Sequence, residues 1–337
     1  MTPTLRKAAH TVLLPAFADT RLSEGVKRFL DNGGYSILIG ESREEYIART
    51  MSRTRRANET AETLSKLTNQ AKSYRPEIIV AVDQEISGIC RLHDLVPPFP
   101  NAEALAEMTT KEFGSICFNI GHSARKLGIN CFLAPILDLV SGSTPWLEGR
   151  TWTIDASQLT RISCAFIAGV QRAGLIACAK HFPGYGAIAL DPAIDAGARN
   201  DQPLAACQEN IAVFQSAINQ GVDAIMCGPA IVSALDPAQP ASTSPVIIGS
   251  LKNDLNFSGL VVSDDLDAKA TLLGRSLTET AIQSLKSGCD LLLVGDSGDT
   301  LAELSRGICR AAETGLLSEE RLLQAANSVQ SLAGKYS

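Results

Sequence analysis

The chain has no block of like charge. Its 30 basic and 36 acidic residues are interspersed to a net charge of −6. A nucleic-acid footprint needs a basic face, and a polybasic membrane anchor needs clustered Lys and Arg. Neither partner is expected. Long apolar runs are also missing, since none approaches the roughly 20 residues of a membrane helix. The early run TVLLPAF is broken by Pro15, so it reads as a first strand rather than a secretory core. A soluble, cytoplasmic protein is expected. Paired cysteine motifs are absent too. The nine Cys are scattered at 90, 117, 131, 164, 178, 207, 227, 289 and 309, with neither zinc-type nor CxxC spacing. Runs such as LIACAK and INCFLAP make them small, reduced core residues, and no metal or cofactor is implied. No linker, low-complexity segment or short repeat divides the chain, so residues 1–337 are read as one domain.

What the sequence does have is alternation. Short apolar runs recur at 11–17, 35–40, 77–85, 129–138, 175–182, 222–227, 259–265 and 289–296. They are continuously apolar, as parallel strands covered on both faces are. Between them lie helical segments that close on Gly128, Gly174, Gly221 and Gly288, where a helix must turn left-handed into the next strand. About eight strand–helix units predict a (β/α)₈ barrel of the TIM type. A doubly wound open sheet is the competitor, but no GxGxxG follows the first strand.

Charged residues cluster where the runs finish: Asp83 and Glu85, Asp138, Lys180 and His181, Asp264 and Asp265, and Asp296. In a barrel these ends open onto one face, where active sites are built. The plainer reading of any single charge is that the strand has met water. Asp265, next to Asp264, is expected to face the other way if the strand stays extended.

Two motifs, AKHFPGYG (179–186) and GLVVSDDLDAKA (259–270), resemble glycoside hydrolase family 3. The likeness is greatest to its single-domain bacterial β-N-acetylglucosaminidase branch. VAVDQEISGICRL, LAPILDL, EGRTW and GVDAIMCGP follow the same order, so the resemblance runs from about residue 10 to 330. It implies a retaining glycosidase acting on a β-linked N-acetylhexosaminide or related amino sugar, with Asp264 as nucleophile. It further implies a sugar-binding shell of Asp83, Arg91, Arg150, Lys180 and His181. Ionised groups suit that task, because sugar hydroxyls both give and accept hydrogen bonds.

The chain also departs from the family. Relatives continue KHFPGHGDT into a DSH triplet, whose His is the acid/base and whose Asp orients it. Here Asp191 falls on that Asp, but Pro192 and Ala193 replace Ser and His, and Ala187 and Ile188 replace the earlier Asp-Thr. Acid/base catalysis contributes about 10²–10⁴-fold, so this loss bears on function directly. Three readings stay open. In the first, Asp191, Asp195 or Tyr185 serves as the acid on a rebuilt 184–201 loop; in the second, the reaction is a transfer that needs no protein acid; in the third, the protein binds sugar without turnover. A lyase with Lys180 as Schiff base is a further rival. Finally, DQEGGRVQR reads DQEISGICR, which puts Ile86, Ser87 and Gly88 beside Asp83 and implies a reshaped pocket.

Overall fold

The computed structural model describes residues 2–295 and 298–337. Eight parallel strands follow one another along the chain: β1 (Leu13–Phe17), β2 (Ser36–Ile39), β3 (Ile79–Val82), β4 (Cys131–Phe132), β5 (Ile176–Phe182), β6 (Ala224–Cys227), β7 (Leu260–Ser263) and β8 (Leu292–Gly295). Each hydrogen-bonds to the next as far as β7, and β8 pairs with β1 in the register Leu13↔Leu292. The seam between β7 and β8 is bridged at Val262↔Leu291, where the Ser263 N–H donates to the Leu291 carbonyl at 2.9 Å. The architecture is the (β/α)₈ barrel that the run pattern predicts. Asp296, one of the predicted strand-end charges, lies outside the described residues.

The strands explain why their sequences are apolar without a break. Successive side chains point to opposite faces, and both faces are covered. In β2, Ile37 and Ile39 pack outward while Leu38 points into the barrel; in β3, Val80 and Val82 pack outward while Ile79 and Ala81 point in. Cys131 and Cys178 belong to the inward set, and all nine cysteines are free thiols.

The outer layer consists chiefly of α1 (Pro3–Thr11), α2 (Glu24–Asp31), α3 (Ala61–Tyr74), α4 (Thr110–Lys126), α5 (Ala156–Arg172), α6 (Leu204–Asn219), α7 (Leu277–Ser287), α8 (Gly298–Glu313) and α9 (Glu319–Lys335). Their ends follow the sequence signals. The Asp155 side chain accepts from the Gln158 N–H at 2.8 Å to start α5. Gly288, at φ +116°, ends α7 in a conformation that L side chains avoid. Two features were not expected. Residues before β1 form α1, which packs against α8 and α9. Segments Arg199–Asn200, Ile231–Val232 and Asp236–Pro240 form a separate three-stranded sheet in the loops after β5 and β6. Two-residue strands and a Pro-bearing partner leave no period to read.

The N-terminal end of the barrel is closed by the last helix. Val329, Ala333 and Tyr336 pack onto the inward-facing core, and Lys335 and the Tyr336 hydroxyl both bond the Asp223 carboxylate. That leaves the opposite, C-terminal mouth for chemistry.

Candidate active site

A cavity of about 320 Å³ opens at the C-terminal mouth, a volume suited to one small polar ring. All eight strands contribute to its wall through their ends, including Phe17, Glu41, Asp83, Leu133, Lys180, Met226, Asp264 and Leu293. Charges remote in sequence therefore converge on one space.

One side of the wall is an ion-pair network. Lys180 Nζ bonds Asp83, and lies 3.0 Å from Glu85 Oε1. Glu85 also accepts from Arg150 Nη2 at 2.6 Å and from the Ile89 N–H at 3.1 Å. Burial favours the neutral acid at Glu85, but Arg150 and then Lys180 outweigh it and hold the carboxyl at about 2. Burial likewise opposes the charge on Lys180, yet Asp83 and Glu85 raise its affinity for the proton above that of a free lysine. An ammonium held this way has no lone pair to attack a carbonyl, which counts against the Schiff-base reading. Arg150 reaches on to the Tyr46 hydroxyl at 3.0 Å, which Trp146 Nε1 also meets at 2.9 Å. Gly88 makes this packing possible. At φ +91°, a Cβ there would stand 2.9 Å from both Arg150 Cα and Glu85 Oε2.

The other side centres on Asp264. The regular strand stops at Ser263, and the Asp264 N–H turns to the Cys227 carbonyl at 2.9 Å. Asp264 Oδ1 accepts from the Asp265 N–H at 2.7 Å, while Oδ2 is buried with no hydrogen-bond partner. His181 Nε2 lies 3.9 Å from that free oxygen. Its Nδ1 meets Asp138 Oδ2 at 2.7 Å, and a carboxylate acceptor there puts the proton on Nδ1. Lys180 and His181 are neighbours, yet both line the cavity, because the β5–β6 register shifts between Lys180 and Phe182.

Asp265 lines the same cavity rather than facing away. Strand alternation no longer governs it, since β7 has ended. Burial, then the charge of Asp267, raises its carboxyl to about 7.

A family model described as the glycosyl hydrolase family 3 N terminal domain matches residues 41–332. The chain belongs to glycosyl hydrolase family 3. It is 27% identical over 280 residues to a β-hexosaminidase of Nitrosomonas eutropha, covering 80% of each chain. It is 29% identical over 253 residues to a β-hexosaminidase of Neisseria meningitidis, covering 72% of this chain and 69% of the relative. A solved family 3 β-N-acetylglucosaminidase from a Paenibacillus species matches with a TM-score of 0.87 and 25% identity, over 100% of this chain and 63% of that one. A β-N-acetylhexosaminidase from Beutenbergia cavernae shares the fold at a TM-score of 0.83 and 21% identity, over 99% of both chains.

Of the residues this family 3 chain was expected to use, Asp83, Arg150, Lys180, His181 and Asp264 line the cavity. Arg91 does not. It is fully buried behind the wall, clamped by Glu59 at 2.6 and 2.8 Å and donating to the Gly40 carbonyl at 2.6 Å. With all three of its side-chain nitrogens donating to the protein and no exposure to the cavity, Arg91 holds the end of β2 rather than a sugar. Asp191 is displaced as well. It pairs with Arg43 at 3.2 Å and accepts from the Ala193 N–H at 2.9 Å, while Pro192 and Ala193 face the cavity in its place. Asp195 accepts from the Gly197 N–H at 2.8 Å and does not line the cavity. Tyr185 is fully buried and donates to the Ala230 carbonyl at 2.8 Å. The 184–201 loop thus brings no titratable side chain to the cavity.

Sequence reading missed Glu41, Arg43, Tyr46 and Trp146, all in the wall. Glu41 carries the same signal as Asp83, a charge at the end of an apolar run. Arg43 and Tyr46 lie on the short helix Arg43–Ala48, whose Ser42–Glu45 capping box was the signal available, and Trp146 sits in a turn with no pattern of its own.

Proposed function

We propose that this protein is a retaining β-hexosaminidase in which Asp264 is the nucleophile and Asp265 the proton-transfer group. The observation that carries the reading is the free, buried Oδ2 of Asp264 in a cavity sized for one sugar. Its other oxygen is tied to a backbone N–H, which fixes the carboxylate. In the first step a bond forms between Asp264 Oδ2 and the anomeric carbon, and the bond to the leaving oxygen breaks. Asp265 gives that oxygen its proton. In the second step Asp265 takes a proton from water, which displaces Asp264 and restores the original anomeric configuration.

Asp265 suits this role because a carboxyl at about 7 is partly protonated at neutral pH. It also adjoins the stretch where relatives carry their acid. The Ala270 N–H donates to the Pro192 carbonyl at 3.0 Å, so residues 265–270 run beside Ala193. Lys180, Arg150 and Asp83 present charged groups to the hydroxyls.

The test compares aryl β-glucosaminides, acylated and free, with the matching disaccharides, alongside an activated fluoro-sugar that traps a covalent adduct. The reading requires an adduct on Asp264 and hydrolysis with retention. Asp265→Asn should cut disaccharide hydrolysis by about 10²–10⁴-fold while sparing substrates with an acidic phenol leaving group. An adduct elsewhere, or inversion, would refute Asp264. Equal loss on both leaving groups would refute Asp265. Sugar binding with no adduct and no turnover favours a binding protein, a reading to which the bare Ala193 wall lends weight.

A further inference from the structure

Carboxylates outnumber cations around the cavity. Glu41, Asp83, Asp264 and Asp265 line it and Glu85 stands behind, against Lys180, Arg150 and Arg43. Lys180 and Arg150 are already spent on Asp83 and Glu85, and Arg43 is paired with Asp191. Glu41 is left over. Its Oε2 is buried and meets no hydrogen-bond donor, although it lines the cavity. A buried carboxylate without a partner is costly, so Glu41 ionises only when a bound ligand brings the counter-charge.

We propose that Glu41 receives a ligand ammonium, so that the preferred sugar carries a free, unacylated amine. This deepens the hexosaminidase reading and rests on it for the sugar; the amine follows from the cavity. A neutral N-acetyl group offers Glu41 no counter-charge and would leave its carboxyl protonated, whereas an ammonium pairs with the carboxylate. A metal ion is a poorer occupant, because among the described residues no group of three or more His, Cys, Asp or Glu side chains could hold one. The positive charge that develops at an anomeric carbon belongs beside Asp264. Glu41 feels chiefly Asp83 and Glu85, with Lys180 and Arg91 opposing them. Arg150, His181, Arg43, Asp264 and Asp265 face the same space.

Those surroundings give the proposal a signature. Burial, then Asp83 and Glu85, raise the Glu41 carboxyl to about 8, so the empty site holds a proton there at neutral pH. An arriving ammonium favours the carboxylate and expels that proton. Affinity for an amine should therefore rise about tenfold per pH unit below about 8, wherever the amine itself stays protonated.

The experiment is calorimetry of the full chain at pH 6.5, in two buffers of different ionisation heat. The ligands are methyl β-glycosides bearing an amine at C2, C3 or C6, each paired with its N-acetyl counterpart. At least one amine should bind ten-fold or more tighter than its partner, with release of close to one proton. Glu41→Gln should abolish both the preference and the release, and Glu41→Asp should keep them. Thermal melts show whether each variant is folded. If every N-acetyl ligand binds as tightly as its amine, or if Glu41→Gln keeps the preference, the proposal falls. Asp264 labelling by the fluoro-sugar is read in parallel. Labelling without amine preference overturns only this inference, whereas amine preference without labelling supports it and sinks the nucleophile assignment.

Discussion

Glu85 and Asp264 bring the same functional group to one mouth of the barrel and end in opposite conditions. Every lone pair of Glu85 that faces a donor is used by Arg150, Lys180 or the Ile89 N–H, so it has nothing left for a substrate. Asp264 keeps one oxygen free. Two substitutions separate these roles. Asp264→Ala should lower kcat by more than about 10³-fold, about 4 kcal/mol of barrier, with little change in melting temperature. Glu85→Gln should instead cost about 3–5 kcal/mol of stability, because it strips buried Arg150 of its counter-charge. Urea unfolding and steady-state kinetics on both variants check the contrast. At this scale the sequence was legible where residues lie in a dense motif: Lys180, His181 and Asp264 could be named in advance as lying at the mouth. Arg91 could not be assigned, because an arginine that clamps a carboxylate and one that binds a sugar look alike until the partner is known. That partner, Glu59, lies 32 residues upstream in an unrelated segment.

The elements show how the mouth is held and how its loops are placed. Arg91 ties the β3 loop to Glu59 and to the Gly40 carbonyl, and Gly40 immediately precedes Glu41. Glu59→Ala leaves a fully buried guanidinium without its carboxylate and should destabilise the fold by about 3–5 kcal/mol. If Arg91 acted on sugar directly, Arg91→Met would change ligand affinity as much as stability; the expected result is a lower melting temperature with near-normal affinity in the folded fraction. The loop after β5 makes the opposite point. Its first part was readable as a site element, but its path was not, because Pro192 and Ala193 gave no clue that they would face the cavity while Asp191 turned to Arg43. Ala193→His places an imidazole in the cavity wall, at the position where the family resemblance puts an acid/base. It should raise disaccharide hydrolysis by about 10-fold or more, within the range that acid/base groups supply, and do little for aryl substrates. A product assay on the two substrate types decides this.

For the molecule as a whole, the barrel was legible because each strand is covered on both faces and so reads as an unbroken apolar run. The separate three-stranded sheet was not, since its strands are too short to carry a period. The same site charges that were hard to read also set how stability varies with pH. Glu59 and Glu85 are held at about 2 in the fold, so they stabilise it above the usual range near 4.5, and this is lost as pH falls toward 2. Glu41 and Asp265 act in the other direction. Held at about 8 and about 7, they keep protons that the unfolded chain has released, so stability declines as pH rises from about 4 through those values. The empty protein should be most stable near pH 5. Glu41→Gln removes the largest part of the alkaline decline. It should raise the melting temperature at pH 8 by at least about 3 °C more than at pH 5, in scanning calorimetry without ligand. A site kept ready for a cation is a liability while empty, and a variant equally stabilised at both pH values would show that Glu41 carries no such cost.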